Sequence, residues 1–203
     1  MKFLETMDEL EAVYHSKPSL ASTAKEISKL TPHYRQLIAA SPFMLLATSG
    51  SEGLDCSPRG DGKGFVRVIN DTTLAIPDRR GNNRIDSLRN IIRDPRVALL
   101  FLIPGSGTTF RVNGTARITT DAKLLKSFAV EDKEPRSVVI VSVESCYVQC
   151  ARAIIRSDLW NPKQHVAEDS MPTFGQMLEA IKPDFNGRDY DAEWPTRAKA
   201  SMW

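Results

Sequence analysis

The sequence predicts a mainly β fold, a six-stranded antiparallel barrel with flanking helices, and three observations carry that prediction. From Pro42 onward, short runs of β-branched and apolar residues are punctuated by Gly, Asn, Asp and Pro turns rather than by long helical patterns. These runs follow one another without regular crossover helices, which a doubly wound parallel sheet would need. No Gly-x-Gly-x-x-Gly follows any of them, which argues against a dinucleotide fold.

The first forty residues read as helical. Phe3 to Tyr14 places Leu4, Met7, Leu10 and Tyr14 at helical spacing, Ala21 to Leu30 continues the pattern, and Thr31-Pro32 starts a second helix with Pro at a first-turn position. These helices are expected to cap the sheet. Strand character then appears at Phe43–Ser49, followed by the turn Gly50-Ser51-Glu52-Gly53, and at Leu54–Pro58, Phe65–Ile69 and, beyond Asn70-Asp71, Thr73–Pro77. A helix from Asn83 to Arg93 is stopped by Asp94-Pro95. Val97–Ile103, the turn Pro104-Gly105-Ser106-Gly107, a long strand Thr109–Ile118, a helical Asp121–Val130 and a strand Val138–Val143 complete the barrel. A further helix is expected over Ser145–Ser157. The organisation predicted is helices over 1–41 packed on the barrel, the barrel domain over 42–162, and a tail over 163–203 broken by Pro172, Pro183 and Pro195, all within one structural domain.

With 203 residues, 41% hydrophobic and 26% charged, the chain has material for one good-sized core. Residues 1–10 carry acids where a signal peptide needs an apolar run, and no apolar stretch reaches membrane-spanning length, so a cytoplasmic location is expected. His15, His33 and His165 are scattered without metal-ligand spacing, and Cys56, Cys146 and Cys150 form no Cys-x-x-Cys, so neither a metal site nor a disulfide scaffold is indicated. Cys146 and Cys150 read either as thiols one helical turn apart or as half-buried packing residues, and no chemistry is assigned to them. A net charge of +2 is too balanced for a dedicated nucleic-acid binder.

The charge is nonetheless concentrated. Asp78 to Arg96 holds six Arg, no Lys and three Asp. Within it, the strand Thr73–Ile76 and Pro77 run into Asp78-Arg79-Arg80-Gly81-Asn82-Asn83-Arg84, where Asn82 or Asn83 is a candidate helix N-cap. Unpaired N–H donors and the positive end of the helix dipole would converge there with Arg79, Arg80 and Arg84, a set that suits a phosphate monoester dianion. The same segment also reads as an exposed turn whose arginines pair with the neighbouring aspartates. Arg152 and Arg156 lie one turn apart in the expected Ser145–Ser157 helix, where Arg156 is either a ligand for an anionic group or part of a solvated face.

Four segments, taken in order, carry a family likeness: Leu46-Ala47-Thr48 with Gly53 and Cys56-Ser57-Pro58-Arg59-Gly60-Asp61; Ile76 to Arg84; Asp94 to Phe101; and Arg111-Val112-Asn113-Gly114-Thr115-Ala116. Over about residues 40–162 the chain resembles the FMN-binding split-barrel family related to pyridoxamine 5′-phosphate oxidase, and Cys150 to Trp160 is similar to the ending of a bacterial branch of it. The resemblance implies a homodimer that holds FMN in a groove at the subunit interface. The phosphate would be held by the Arg79–Arg84 segment, led by Asp78. Ser57, Pro58, Arg59 and Gly60 would edge the isoalloxazine ring, and Ile76 and Pro77 would lie under the ribityl chain. Arg111 and Trp160 would approach from the partner subunit, with Arg156 near an anionic group. Where the family enzyme has Ser-Arg-Lys, this chain has Asn82-Asn83-Arg84, so one cation is absent and Arg79 and Arg80 are the candidate replacements. The segment after Trp160 departs from the family pattern.

The resemblance implies an FMN-dependent oxidoreductase, with hydride exchange between flavin N5 and an unidentified small substrate, Arg59 as the candidate stabiliser of reduced anionic flavin, and no side chain assigned as acid or base. The alternatives are a non-catalytic flavin-binding redox carrier or sensor, a deazaflavin or haem site on the same fold, and a dimerisation module for which the arginine turn is only surface charge.

Overall fold

The computed structural model describes residues 1–51, 53–167 and 170–202. The expected turn over residues 50–53 therefore includes Glu52, and the expected tail includes Glu168, Asp169 and Trp203, which lie outside the described residues.

The element order is α1 (Met7–Val13), α2 (Leu20–Thr23), α3 (Pro32–Ala40), β1 (Phe43–Gly50), β2 (Gly53–Gly60), β3 (Arg67–Asn70), β4 (Thr73–Asp78), α4 (Asp86–Arg93), β5 (Arg96–Leu102), β6 (Thr109–Thr119), α5 (Ala122–Ser127), β7 (Ser137–Gln149), α6 (Arg152–Ser157), α7 (Phe174–Ile181), α8 (Gly187–Ala192) and α9 (Trp194–Ser201). All strand pairs are antiparallel, in the order β2-β1-β5-β6-β7-β4-β3. Among the described residues the sheet has seven strands, one for each of the seven strand-like runs in the sequence, rather than the six of the expected barrel, and it is not closed: β2 and β3 are its two edges.

Those two edge strands are consecutive in the chain. In a flat sheet they would stand six strand spacings apart, roughly 29 Å, whereas the six residues Asp61 to Val66 that join them reach about 24 Å at full extension. The sheet must therefore roll until its edges face one another across an open seam.

Alternation drives the roll. Met44, Leu46 and Thr48 of β1, Val97, Leu99 and Phe101 of β5, and Phe110, Val112, Gly114 and Ala116 of β6 all point to one buried face, with Leu74 and Ile76 of β4 and Val139, Val141 and Val143 of β7 in the same cluster. Each such large side chain contributes about 1.5–3 kcal/mol by leaving water. Residues Leu74 to Pro77 of β4 are buried on both faces, because α5 lays Phe128, Leu124 and Leu125 against Ala75 and Val138 on the outer side. Helix α4 packs on β1, where Asn90 Nδ2 donates to Thr48 Oγ1 at 3.1 Å and Gly50 leaves the space Asn90 occupies.

At the N-terminus, α1 and α2 bury no residue. Only the later part covers the sheet: Ile27 bridges to Cys146, and Leu30 and Ile38 enter the core. The expected helix over Ala21–Leu30 is reduced to the single turn of α2, while Thr31 caps α3 as expected. The Ser145–Ser157 helix is also corrected. β7 runs on through Gln149 because Cys146 and Val148 pair with Val112 and Phe110 of β6, and α6 begins only at Arg152. Cys146 is accordingly a buried core thiol on a strand, and Cys150 an exposed one beyond its end. The tail forms its own cluster, in which Phe174 and Phe185 pack on Tyr190, Arg197 lies 3.8 Å over that ring, and Gly175 and Gly187 let α7 and α8 touch backbone to backbone. Among the described residues no helix is long and apolar enough to cross a membrane.

The register of β6 and β7 shifts at Asn113 and Gly114, where a Cβ on Gly114 would stand 2.0 Å from the Ser142 carbonyl oxygen. Gly114→Ala is expected to destabilise the protein by about 1–3 kcal/mol through overpacking against backbone that cannot yield, while Gly81→Ala, with open space around it, should be near neutral; urea unfolding of the two variants decides this. Burial pushes the Cys146 thiol up to about 11, and the Arg152 N–H beside Cys150 lowers that thiol. At pH 8 iodoacetamide should therefore alkylate Cys150 well before Cys146, and mass spectrometry that found the reverse order would contradict the packing.

Candidate functional site

The seam holds a cleft of about 630 Å³, walled by β2, the end of β4, the loop over residues 79–85, the first turn of α4 and the entry to β7. On β2, Asp55, Ser57 and Arg59 are the half-buried positions of an alternating strand and share the inner face. The strand therefore turns a polar row inward where the other strands turn an apolar one.

The loop is shaped by its own side chains. Asn82 Oδ1 accepts the Arg84 N–H at 3.1 Å, and Asn83 Oδ1 accepts from Arg136 Nη1 at 2.7 Å. With both amides engaged in this way, neither caps the helix. α4 starts at Asp86, three residues beyond the expected Asn83, behind Ile85 and with no side-chain cap. Asn83 and Ile85 both sit at positive φ, 60° and 52°. For a β-branched residue that region is strained by about 1–3 kcal/mol. Ile85 to Leu88 line the cleft, so the uncapped start of α4 opens on it.

Five arginines and three aspartates line the cleft, in different states. Arg79 is a strut: its Nε meets Asp61 Oδ2 at 2.6 Å and its Nη1 the Phe128 carbonyl at 2.8 Å, with both partners of the ion pair largely buried. Arg59 reaches across the seam, Nη1 to Asp78 Oδ1 at 3.3 Å and Nη2 to Ser87 Oγ at 3.1 Å. Ser87 in turn donates to Asp55 Oδ2 at 2.5 Å, and Ser57 donates to the same carboxylate. Arg84 pairs with Asp86 at 2.8 Å in solvent, as Arg96 does with Asp94, whose carboxyl the Arg96 guanidinium holds at about 2. Pairing with neighbouring aspartates thus accounts for part of the charge run. Arg80 is exposed and forms no hydrogen bond or ion pair among the described residues. Desolvation pushes the Asp78 carboxyl above the usual carboxylate range, against the attraction of Arg59 and Arg136.

Of the residues expected at the site, Ser57, Pro58, Arg59, Gly60, Pro77, Asp78, Arg79, Arg80, Asn82, Asn83 and Arg84 line this one cleft. Ile76 instead faces the core at 2% exposure. Arg111, Arg156 and Trp160 lie outside the lining: Arg111 Nε contacts Asn113 Oδ1, Trp160 Nε1 donates to the Ser106 carbonyl at 2.7 Å, and Arg156 sits exposed on α6. Asp55, Asp86, Ser87 and Arg136 belong to the cleft and are absent from the sequence expectations. The period-two spacing of Asp55 with Ser57 and Arg59 was the available signal for the first. Arg136 had none, since its approach depends on the β4–β7 register that sets Asp78 opposite Ser137.

A rolled, open antiparallel sheet with an arginine-rich cleft in its seam defines the class, that of a small, mainly antiparallel β domain with flanking helices. The chain belongs to the pyridoxamine 5′-phosphate oxidase family, whose N-terminal-region model matches residues 30–150. Solved structures similar to it include HupZ of Group A Streptococcus (19% identity, 59% of this chain and 94% of that one, TM-score 0.49). A candidate pyridoxamine 5′-phosphate oxidase of Lactobacillus delbrueckii matches at 24% identity over 60% of this chain and 95% of that one, TM-score 0.48. General Stress Protein 26 of Bacillus anthracis matches at 16% identity over 56% and 88%, TM-score 0.43. No curated protein matches.

Ile85 is 46% exposed, so its side chain returns little burial energy for its left-handed backbone. Ile85→Asn should stabilise the fold by about 1 kcal/mol, because Asn tolerates that region; a lower urea midpoint than wild type would show that the strain had been misjudged.

Proposed function

We propose that the chain is an FMN-binding flavoprotein acting as an oxidoreductase on a small substrate, with the FMN phosphate at the residue 79–85 loop. The observation that carries this reading is that an unpaired guanidinium, Arg80, and the uncapped start of α4 line the same cleft. The volume falls in the range of small-molecule cofactor sites. The residues present fit such a group. Arg80, Arg84 and Arg136 would hold the phosphate. The inner row of β2 offers hydrogen-bond acceptors and one shared cation to the rest of the molecule. The flavin, when bound, supplies hydride acceptance and donation.

The chain's own residues bind and orient. Arg79 holds the end of β4 against Asp61, so the loop is presented in one position. Arg59 remains the candidate for the pyrimidine edge of the ring, with a charge it shares with Asp78. Arg111, Arg156 and Trp160, outside the lining in one protomer, are proposed to act from the partner of a homodimer whose interface covers the open seam. A flavin fits this lining better than haem: among the described residues one protomer's lining offers no His, Cys, Met or Tyr for an axial position on iron.

Purified protein mixed with FMN and freed of unbound flavin by gel filtration should keep about one flavin per chain, eluting as a dimer. Arg80→Ala should weaken FMN binding roughly tenfold, the scale of one charge-assisted hydrogen bond, with an unchanged melting temperature. Arg79→Ala should instead lower stability, because it removes a strut. No flavin retained at micromolar concentration would sink the cofactor assignment, and an inert flavin-loaded protein would move it to a carrier or sensor.

A further inference from the structure

Arg59 ties the strand it extends from to two other elements at the cleft wall. It extends from β2, meets the Asp78 carboxylate at the end of β4, and donates to Ser87 in the first turn of α4. Side-chain exposures of 25% for Arg59 and 16% for Asp78 put the pair at the cleft wall, where solvent or a ligand still reaches it. Asp78 is short of partners: at 3.3 Å the pair is long for a charge-assisted bond, and Asp78 accepts no hydrogen bond besides that from Arg59 among the described residues. A carboxylate so placed occupies the guanidinium that an incoming anion would use.

We propose that Asp78 is an internal competitor for the ligand's anionic group, an affinity-setting residue whose carboxylate holds Arg59 until a phosphate or comparable dianion draws the guanidinium away. The inference rests on the cleft being an anion site, and it assigns Asp78 a role opposite to that of a ligand contact. Binding then exchanges the Arg59–Asp78 pair for an Arg59–ligand pair, while the Ser87 contact keeps the guanidinium within the cleft. Affinity is lower than the arginine count suggests, and it depends on the charge of Asp78.

The charged groups that act on Asp78 are Arg59 from β2 and Arg136 from the entry to β7, and the same cleft is lined by Arg79 and Arg80 from its own segment and by Arg84 with Asp86 from the approach to α4. Asp55 lies beyond Ser87 on β2. Guanidinium groups keep their charge at any pH at which a carboxyl titrates, so the Asp78 carboxyl, held above its ordinary value by desolvation, is the group in the pair that titrates. As pH falls through its raised pKa, Asp78 loses its charge, releases Arg59, and anion binding tightens. As pH rises, the competitor is restored and binding weakens.

Sulfate tests this without a titrating probe, by calorimetry from pH 8 to pH 4.5 on wild type, Asp78→Asn, Arg59→Ala and the double variant. At pH 8, Asp78→Asn should bind sulfate roughly three- to tenfold more tightly, the scale of one partly exposed ion pair. Wild-type affinity should rise towards acid while that of Asp78→Asn stays flat. In the Arg59→Ala background the gain from Asp78→Asn should largely vanish. Should Asp78→Asn fail to fold, Asp78→Ser serves in its place. Equal or weaker sulfate binding by the variant, no sulfate binding by either protein, or a gain that persists in full without Arg59 would overturn the proposal. FMN run in parallel separates the two readings: sulfate behaving as stated with no FMN retained would refute the cofactor and leave the competitor standing.

Discussion

The structure depends on a charged clasp across the open seam of the sheet. β2 and β4 are far apart in strand order, and among the described residues no ladder hydrogen bond joins them. Two ion pairs do: Arg79 with Asp61, and Arg59 with Asp78. A closed barrel satisfies its edges with backbone bonds, whereas this sheet leaves its edges unpaired and meets across the gap through side chains. The gap is therefore a cleft with polar walls, and its width is set by the reach of arginine.

The two bridges differ in kind. Arg79–Asp61 is short, largely buried and supported by the Phe128 carbonyl, so breaking it disturbs charges held in a low-dielectric place. Arg59–Asp78 is longer and sits at the wall, where its Coulomb energy is small and can be exchanged. One pair fixes the seam and the other faces what enters it. Arg80, Arg84 and Arg136 add cations that lie in solvent and contribute little to stability. A sequence stretch that looks like one uniform patch of arginine thus resolves into a strut, an exchangeable pair and exposed donors.

This division also marks how far the sequence could be read. The turn from Ile76 to Arg84 was legible because its meaning is local: a strand, a polar turn and a helix follow within twenty residues, and seven of the eight residues expected there converge on one cleft. What the local pattern could not supply was competition for each side chain. Asn82 and Asn83 are good N-caps in isolation, but Arg84 and Arg136 take their amide oxygens first, and α4 starts three residues late with Ile85 strained. Arg136, Ser87 and Asp55 reach the site through strand register and helix docking, which composition and spacing do not encode. The expected helix across Cys146 failed for a related reason: residues 145–149 pair with β6, and tertiary pairing overrides a weak helical pattern.

The strain at the start of α4 follows from the same geometry. A helix begun at Asn83 would be capped and relaxed, but its first N–H groups would be spent on an asparagine side chain. Starting at Asp86 behind a left-handed Ile85 gives up about 1–3 kcal/mol of backbone energy and leaves those donors facing the cleft. The double burial of β4 and the Arg79 strut hold the near end of the loop, and Asn90 fixes α4 on β1 at the far end, so the strained segment is anchored on both sides. Rigid anchors around a locally unfavourable backbone are what keeps these N–H groups unspent, because donors free to relax would find partners within the protein.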